Sequence, residues 1–385
     1  MILFFLTVFV LYGGLHYYIF TKIRDAFSPG PGASLAILGG FLFLVLAPLL
    51  VYYSEKHELH SLARLLAYAG YVWMGLAFLF FSASILLDLY RLLAGLAGLA
   101  LPVRLPSLPA GWRFFLPFAL SLAAGTYGYF EALQIRTERI VLKSGKIPRE
   151  LSPVRIVQIS DVHLGMIVRE ERLARIIQKV VDARPDLFIS TGDLLDAQVD
   201  RLNHLSDLLG EIRPRWGKFA VTGNHEYYAG LAKSLEFTRR AGFRILRGEG
   251  VTVGGFLTLA GVDDPAGQAY GEAPPGPEAD LVARFPRENF AILLKHRPVL
   301  DPSSRGRFDL QLSGHTHKGQ ILPFRVGSRI FFRFIGGLYR FPDGFVLYTS
   351  RGTGTWGPPI RFLTPPEVTL FELVHDPLTL PSPPP

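Results

Sequence analysis

No cysteine occurs in the 385 residues, which excludes a disulfide framework and any thiolate metal site. That composition fits a reducing compartment without requiring one. Charge is scarce at the N-terminal end: residues 1–136 hold eight Lys or Arg and five Asp or Glu, leaving 32 and 27 of the totals of 40 and 32 for the rest. The net charge of +8 therefore divides as +3 and +5. Neither part has a dense basic block, so the charge does not favour nucleic acid over a membrane surface or a small anionic substrate. A Gly-rich phosphate fingerprint is also missing after the first strand of the C-terminal part, which disfavours a plain Rossmann-like domain.

What residues 1–136 do have is long apolar runs. Four of them, 2–20, 34–53, 62–87 and 114–133, approach or exceed the about 20 residues that a helix needs to cross a bilayer. The first has no basic n-region and no small-x-small cleavage site, so an uncleaved span is expected rather than a signal peptide. Turn formers separate the runs, notably Ser28-Pro29-Gly30-Pro31-Gly32 and the stretch 102–111. Buried helices of a soluble protein would need a polar face, and these runs have almost none. The organisation expected is a transmembrane domain at 1–136, a soluble domain at 137–375 and a disordered Pro-rich tail at 376–385. Four spans place both termini on one side with Lys56, Arg64, Arg136, Arg139, Lys143, Lys146 and Arg149. The other side holds Lys22, Arg24, Arg91, Arg104 and Arg113. The positive-inside rule then expects a cytoplasmic soluble domain on a multi-pass membrane protein.

Five short motifs follow in order through that domain: Asp161-Val162-His163, Gly192-Asp193, Gly223-Asn224-His225-Glu226, Lys295-His296-Arg297-Pro298 and Gly314-His315-Thr316-His317. Each comes after an apolar run that reads as a buried strand, at 155–160, 187–191, 218–222, 290–294 and 308–312. Carboxylate, imidazole and amide groups then gather at strand ends along one sheet edge. A site for two divalent metals needs that arrangement, because hard and borderline cations take Asp, Asn and His together. Between the strands, residues 170–183 place Leu173, Ile176, Ile177 and Val180 on one helix face, and 202–212 predicts another helix. Asp161, Asp193 and Asn224 recur at about the 30-residue length of a βαβ unit, so each crossover returns to the same edge. Further on, 243–246, 251–253 and 257–261 read as strands with tight turns that supply a second sheet.

Singly, each position has a plainer reading. Asp161 and Asp193 could be helix or loop caps, Asn224 a turn residue after Gly223, and His296 an ordinary surface or core histidine. From an extended backbone Asp161 and His163 would point the same way and share a metal. His315 and His317, one residue apart between Gly314 and Gly319, are the most specific pair. The remaining histidines, His16, His57, His60, His204 and His375, have no partner in the pattern and are expected at interfaces or in solvent.

With these motifs the sequence resembles the calcineurin-like metallophosphoesterase superfamily. Within it, it is similar to the bacterial membrane-associated branch with short Ser-Asp-x-His-Leu-Gly and Gly-His-Thr-His-x-Gly-Gln motifs. The resemblance covers 137–374, including the strand at 139–142 and the segment Ser350-Arg351-Gly352-Thr353-Gly354-Thr355-Trp356. It implies a four-layer αββα sandwich and phosphoester hydrolysis at a dinuclear centre. Two divalent ions per chain are implied, Mn²⁺ first, with Fe, Zn or Co as alternatives. Carried over position by position, Asp161, His163 and His317 would hold one metal, Asn224, His296 and His315 the other, and Asp193 would bridge them. His225 would face the scissile phosphate and assist the leaving oxygen; orienting Asn224 is its alternative role. A hydroxide bridging the cations would be the nucleophile, since metal binding lowers the pKa of water from about 15.7 to about 7.

The segment 324–341 mixes Phe, Ile and Leu with Arg325, Arg329, Arg333 and Arg340. It could touch a bilayer or accept an acyl chain, but a β-hairpin with one face in the core is the preferred expectation. The function expected is a membrane-anchored phosphodiesterase or pyrophosphatase, with the bilayer as partner and a lipid-linked phosphoester as substrate. No specific nucleic-acid binding is expected, and the oligomeric state stays open. A general phosphodiesterase on soluble nucleotides or nucleic acid is the alternative among enzymes. A non-catalytic membrane sensor or transporter with a binding domain is the alternative outside them.

Overall fold

The structure, a computed structural model, describes residues 2–100, 109, 111–196, 202–272 and 276–378. The Pro-rich end beyond residue 378 and most of the stretch 102–111 lie outside these residues. Contacts divide the chain into two compact units: Met1–Phe130 with Gly357–Phe362, and Glu131–Trp356 with Leu363–Pro385.

The first unit is helical, as apolar runs of about 20 residues are too long for strands and read as helices. It comprises α1 (Ile2–Phe27), α2 (Pro31–Lys56), α3 (His60–Ala100) and most of α4 (Trp112–Leu133). Pro31 opens α2 where a missing N–H costs nothing. The expectation of four spans is corrected here. Among the described residues two helices, Pro31–Lys56 and His60–Leu99, are long and apolar enough to cross a membrane. The second half of α4 carries Thr126, Tyr127, Tyr129 and Glu131, which dilute its apolar run. The start of α1 has side chains outside the described set, and α3 continues for 41 residues, past the expected end at 87. Apolar side chains of α2 and α3 face outward, with Leu35, Leu42, Leu65 and Leu86 at 60–73% exposure. Inside, Trp73 Nε1 donates to His16 Nε2 at 2.8 Å, while Tyr18 and Lys22 both donate to Asp88. His16 is thus a buried, partnered residue, and His60, His204 and His375 also have partners in Glu55, Glu170 and the Ile147 carbonyl. Gly357–Phe362 completes this unit: Ile360 is buried against Gly128 and Gly75, and Arg361 N donates to Gly128 O at 2.9 Å.

The second unit is a sandwich of two six-stranded mixed sheets. In chain order it runs β1 (Arg136–Ser144), β2 (Val154–Ile159), α5 (Glu170–Asp182), β3 (Leu187–Ser190), α6 (Asn203–Gly210), β4 (Lys218–Ala220), α7 (Asn224–Tyr228), α8 (Leu231–Arg240) and β5 (Arg244–Ile245). It continues with β6 (Glu249–Val253), β7 (Leu257–Gly261), α9 (Glu278–Val282), β8 (Phe290–Leu294), β9 (Leu310–Ser313), α10 (Leu322–Phe331), β10 (Gly337–Arg340), β11 (Val346–Thr349) and β12 (Glu367–His375). The first sheet is ordered β1-β12-β2-β3-β4-β5 and the second β10-β11-β9-β8-β7-β6. Ile156, Ile189, Val221, Leu259, Ile292 and Leu312 meet in one core between them. On the first sheet, α5 turns Leu173, Ile176 and Val180 inward. On the second, Leu281 and Val282 of the five-residue α9 join Ala260, Leu293 and Leu347 in a smaller core, so the helical cover there is thin.

In each sheet the motif-bearing strands run parallel: β2 with β3 and β4, and β8 with β9. Their C-terminal ends therefore open on the edge where ligands of α/β sheets are bound. The preferred hairpin over 324–341 is overturned. The chain forms α10 instead, with Ser328 as its buried side chain, and β10 alone of that stretch pairs, antiparallel to β11. Pro323 suits the first turn of a helix and Gly327 weakens a strand there, while further on Leu338 and Tyr339 of β10 pack against the two cores.

Candidate metal centre

The five motifs meet at the C-terminal strand ends. The backbone there is not extended, as the pairing of Asp161 with His163 assumed: Asp161, His163, Asp193, His315 and His317 have φ of 52°, 53°, 51°, 71° and 48°. Left-handed conformations of non-glycine residues cost about 1–3 kcal/mol each and persist only where surrounding bonds enforce them. Those bonds are present. Asp161 N donates to Gly192 O, His163 N to Asp193 O, Thr353 N to Ser160 O and Gly354 N to Asp161 O, at 2.7–3.1 Å. A Cβ on Gly314 would fall on Ser160 Oγ and Asp161 Oδ2, so only glycine lets the last motif approach the first.

Seven of the eight predicted site residues fall into three overlapping groups, and Asn224 stands next to one of them, His225, at the start of α7. Asp161, His163 and His317 offer one ligand atom each within 4.8 Å of one another, and Asp193, His296 and His315 do the same. A third such group, His163, Asp193 and His225, joins the two through Asp193. His163 Nε2 lies 3.1 Å from His317 Nε2, and His317 Nε2 lies 3.4 Å from Asp161 Oδ1. His296 Nε2 lies 3.2 Å from both His315 Nδ1 and Asp193 Oδ2. Nitrogens that converge this closely share a cation or a proton between them. His296 Nδ1 is 2.8 Å from the Thr191 carbonyl, so it donates there and turns Nε2 inward, to carry a proton or, once that proton is displaced, to bind a cation. Asn224 Oδ1 is buried and has no hydrogen-bond partner, an uncompensated acceptor that a cation would satisfy. Oxygen and imidazole donors without sulfur suit a divalent ion, so the residues fit the group the chemistry demands.

The charges respond as such a cluster must. Burial raises the Asp161 carboxyl above its ordinary range even though His296 opposes this. Burial also opposes ionisation of Asp193, but His296 and His225 outweigh it and hold Asp193 well below that range. Burial pulls His296 and His225 down, yet Asp193 outweighs it and lifts them to about 10 and about 9. His315, buried beside protonated His296, is held down to about 3. A pocket in which two imidazoles must take protons to balance carboxylates is one that a cation can neutralise instead.

Two further residues escaped the sequence reading. Asp196 Oδ1 lies 3.1 Å from His225 Nδ1 and 3.8 Å from His163 Nδ1. The Gly-Asp-x-x-Asp spacing from Asp193 was its available signal. Glu226 accepts from the amides of Gly223, Asp193, Leu194 and Leu195 at 2.6–3.3 Å and so ties two motif loops together. Around His225 stand the half-exposed rings of Tyr228 and Trp356, at 5.1 and 6.0 Å between centroids.

Comparison with known proteins agrees with this geometry. The calcineurin-like phosphoesterase family profile matches residues 154–319. An uncharacterized metallophosphoesterase of Aquifex aeolicus is 38% identical over 66% of this chain and 97% of its own length. A transmembrane protein with metallophosphoesterase domain from Danio rerio is 31% identical over 66% of this chain and 61% of its own. An uncharacterized metallophosphoesterase of Bacillus subtilis is 33% identical over 65% and 91%. With its motif-bearing strands, its Asp/His clusters and a relative matched over almost its full length, the chain belongs to the calcineurin-like phosphoesterase family and is a metallophosphoesterase.

Proposed function

We propose that the chain is a membrane-associated phosphohydrolase that cleaves phosphodiester or pyrophosphate bonds with two divalent cations. Asp161, His163 and His317 would hold one ion and Asn224, His296 and His315 the other, with Asp193 between them. The observation that carries this is the shared carboxylate: Asp193 Oδ2 faces His296 Nε2 at 3.2 Å and His163 Nε2 at 3.8 Å, one imidazole from each cluster. Two cations so held would polarise the phosphate oxygens and activate a water. His225 stands beside the clusters without belonging to either terminal triad, and its ion pair with Asp196 keeps a proton ready for the leaving oxygen. Outward leucines on α2 and α3 support an apolar surrounding for those helices, and so an anchor in residues 1–136 with the chemistry in 137–375. Exposed Tyr228 and Trp356 beside His225, with Tyr270 against Tyr228, favour one second reading, a phosphodiesterase for soluble nucleotides whose bases stack on those rings.

The test is Asp193→Ala in the full chain, with metal content and Mn²⁺-dependent turnover of bis(p-nitrophenyl) phosphate measured side by side. The expected variant holds at most one ion per chain and has no turnover. Two bound ions with normal turnover would refute the bridging role, and a wild type that binds metal but hydrolyses no phosphoester would leave a binding domain instead.

A further inference from the structure

Three residues after Gly319 the chain enters α10, and its apolar side chains point into solvent. Val326, Ile330 and Phe331 are 69%, 78% and 81% exposed. Leu322, Val326 and Ile330 follow at four-residue spacing, so they share one helix face. Arg325 and Arg329 each stand three residues beyond a member of that stripe and border it. Neither has a carboxylate partner among the described residues. The helix is seated firmly on the metal side. A Cβ on Gly319 would strike the Arg325 backbone, and the Phe332 ring lies 5.1 Å from the ring of His315. Whatever α10 rests on is therefore presented to the metal centre.

An apolar ridge bordered by unpaired guanidinium groups complements the boundary between acyl chains and headgroup phosphates. We propose that α10 lies in that boundary of a lipid bilayer, with Leu322, Val326 and Ile330 among the acyl chains and Arg325 and Arg329 on headgroup phosphates. The substrate is then a phosphoester or pyrophosphate borne by a lipid of that leaflet, reached while its chains stay in the bilayer. This rests on the phosphohydrolase reading and adds the substrate class to it. The helices of residues 1–136 supply the tether, since two residues separate the end of α4 from the start of β1.

The absence of native cysteine makes a direct test simple. The full chain is placed in phosphatidylcholine/phosphatidylglycerol nanodiscs with an environment-sensitive fluorophore on Ile330→Cys, or on Glu236→Cys as an exposed control. The label at 330 should shift to the blue and be quenched by doxyl-labelled lipid but not by aqueous iodide, with the reverse at 236. Quenching by iodide alone at 330 overturns the proposal. Shielding from both quenchers does so too, because the face then meets protein, such as a second copy. In the second arm, Val326→Glu/Ile330→Glu should lower the ratio of turnover on phosphatidyl-p-nitrophenol in nanodiscs to that on bis(p-nitrophenyl) phosphate by at least about 10-fold, as lost interfacial binding requires. An unchanged ratio overturns the substrate class. A wild type inactive on both substrates fails the phosphohydrolase reading instead, while the quenching pattern still decides whether α10 meets lipid.

Discussion

Asp193 and His225 divide the site by which atoms they turn inward. Asp193 Oδ1 accepts from the His225 amide at 2.9 Å, which leaves Oδ2 to the two clusters. His225 turns Nδ1 to Asp196 at 3.1 Å. Burial alone would keep this imidazole neutral, but Asp193 and Asp196 outweigh it and lift the pKa to about 9, so the ring carries a proton at neutral pH. If that proton goes to the leaving oxygen, His225→Asn should keep its metals and lose at least about 10²-fold in kcat. The loss should shrink as the leaving group becomes more acidic, and parallel dependences on leaving-group pKa in the two proteins would exclude the role. Asp196→Asn gives the matching pH test. Removing the carboxylate destabilises the charged imidazolium, the pKa falls, and the protonated ring is lost at lower pH. The basic limb of the kcat–pH profile should therefore move to lower pH, and an unmoved limb would assign the proton elsewhere.

At the scale of elements, the loops after β2, β3 and β9 hold their ligands in left-handed conformations that no local preference supports, and Glu226 braces the β3 loop against the one after β4. It accepts four amides while offering no atom to either terminal triad. Glu226→Ala leaves those buried donors unpaired at a cost of about 1–3 kcal/mol each before relaxation. The expected result is a melting temperature several degrees lower together with weaker metal binding, and Glu226→Gln should recover part of both. Metal affinity equal to wild type in a destabilised Glu226→Ala would confine the residue to folding. The strands were legible in the sequence because fully buried parallel strands such as Leu187–Ser190 and Phe290–Leu294 read as unbroken apolar runs. The loop geometry was not legible. Positive φ at Asp161 or His163 is imposed by partners distant in sequence, Gly192 and Asp193, and Glu226 looked like part of a motif whose ligand was its neighbour. The hairpin expected at 324–341 failed for a related reason: apolar spacing reports a face but not whether protein covers it.

At the scale of the whole chain, the boundary read from composition near residue 136 misses a return. Gly357–Phe362, far downstream of every motif, belongs to the helical unit, where Ile360 and Arg361 are buried. Nothing in Gly-Pro-Pro-Ile-Arg-Phe signals that destination, because its partners Gly75 and Gly128 are small residues whose role is to leave room. A fragment beginning at Thr137 retains all eight predicted site residues, Asp161 through His317, and so should bind metal and hydrolyse bis(p-nitrophenyl) phosphate. It loses the cover over Ile360, however, and exposing one such side chain costs about 1.5–3 kcal/mol. The fragment should therefore melt below the full chain and self-associate, and Ile360→Ser with Phe362→Ser should suppress the association without touching turnover. Calorimetry, light scattering and the aryl phosphodiester assay on the three proteins separate the possibilities. A fragment that is folded and fully metallated yet inactive would show that the helices take part in the chemistry. One that stays monomeric at full stability would show that the 357–362 return contributes nothing to holding the catalytic unit together.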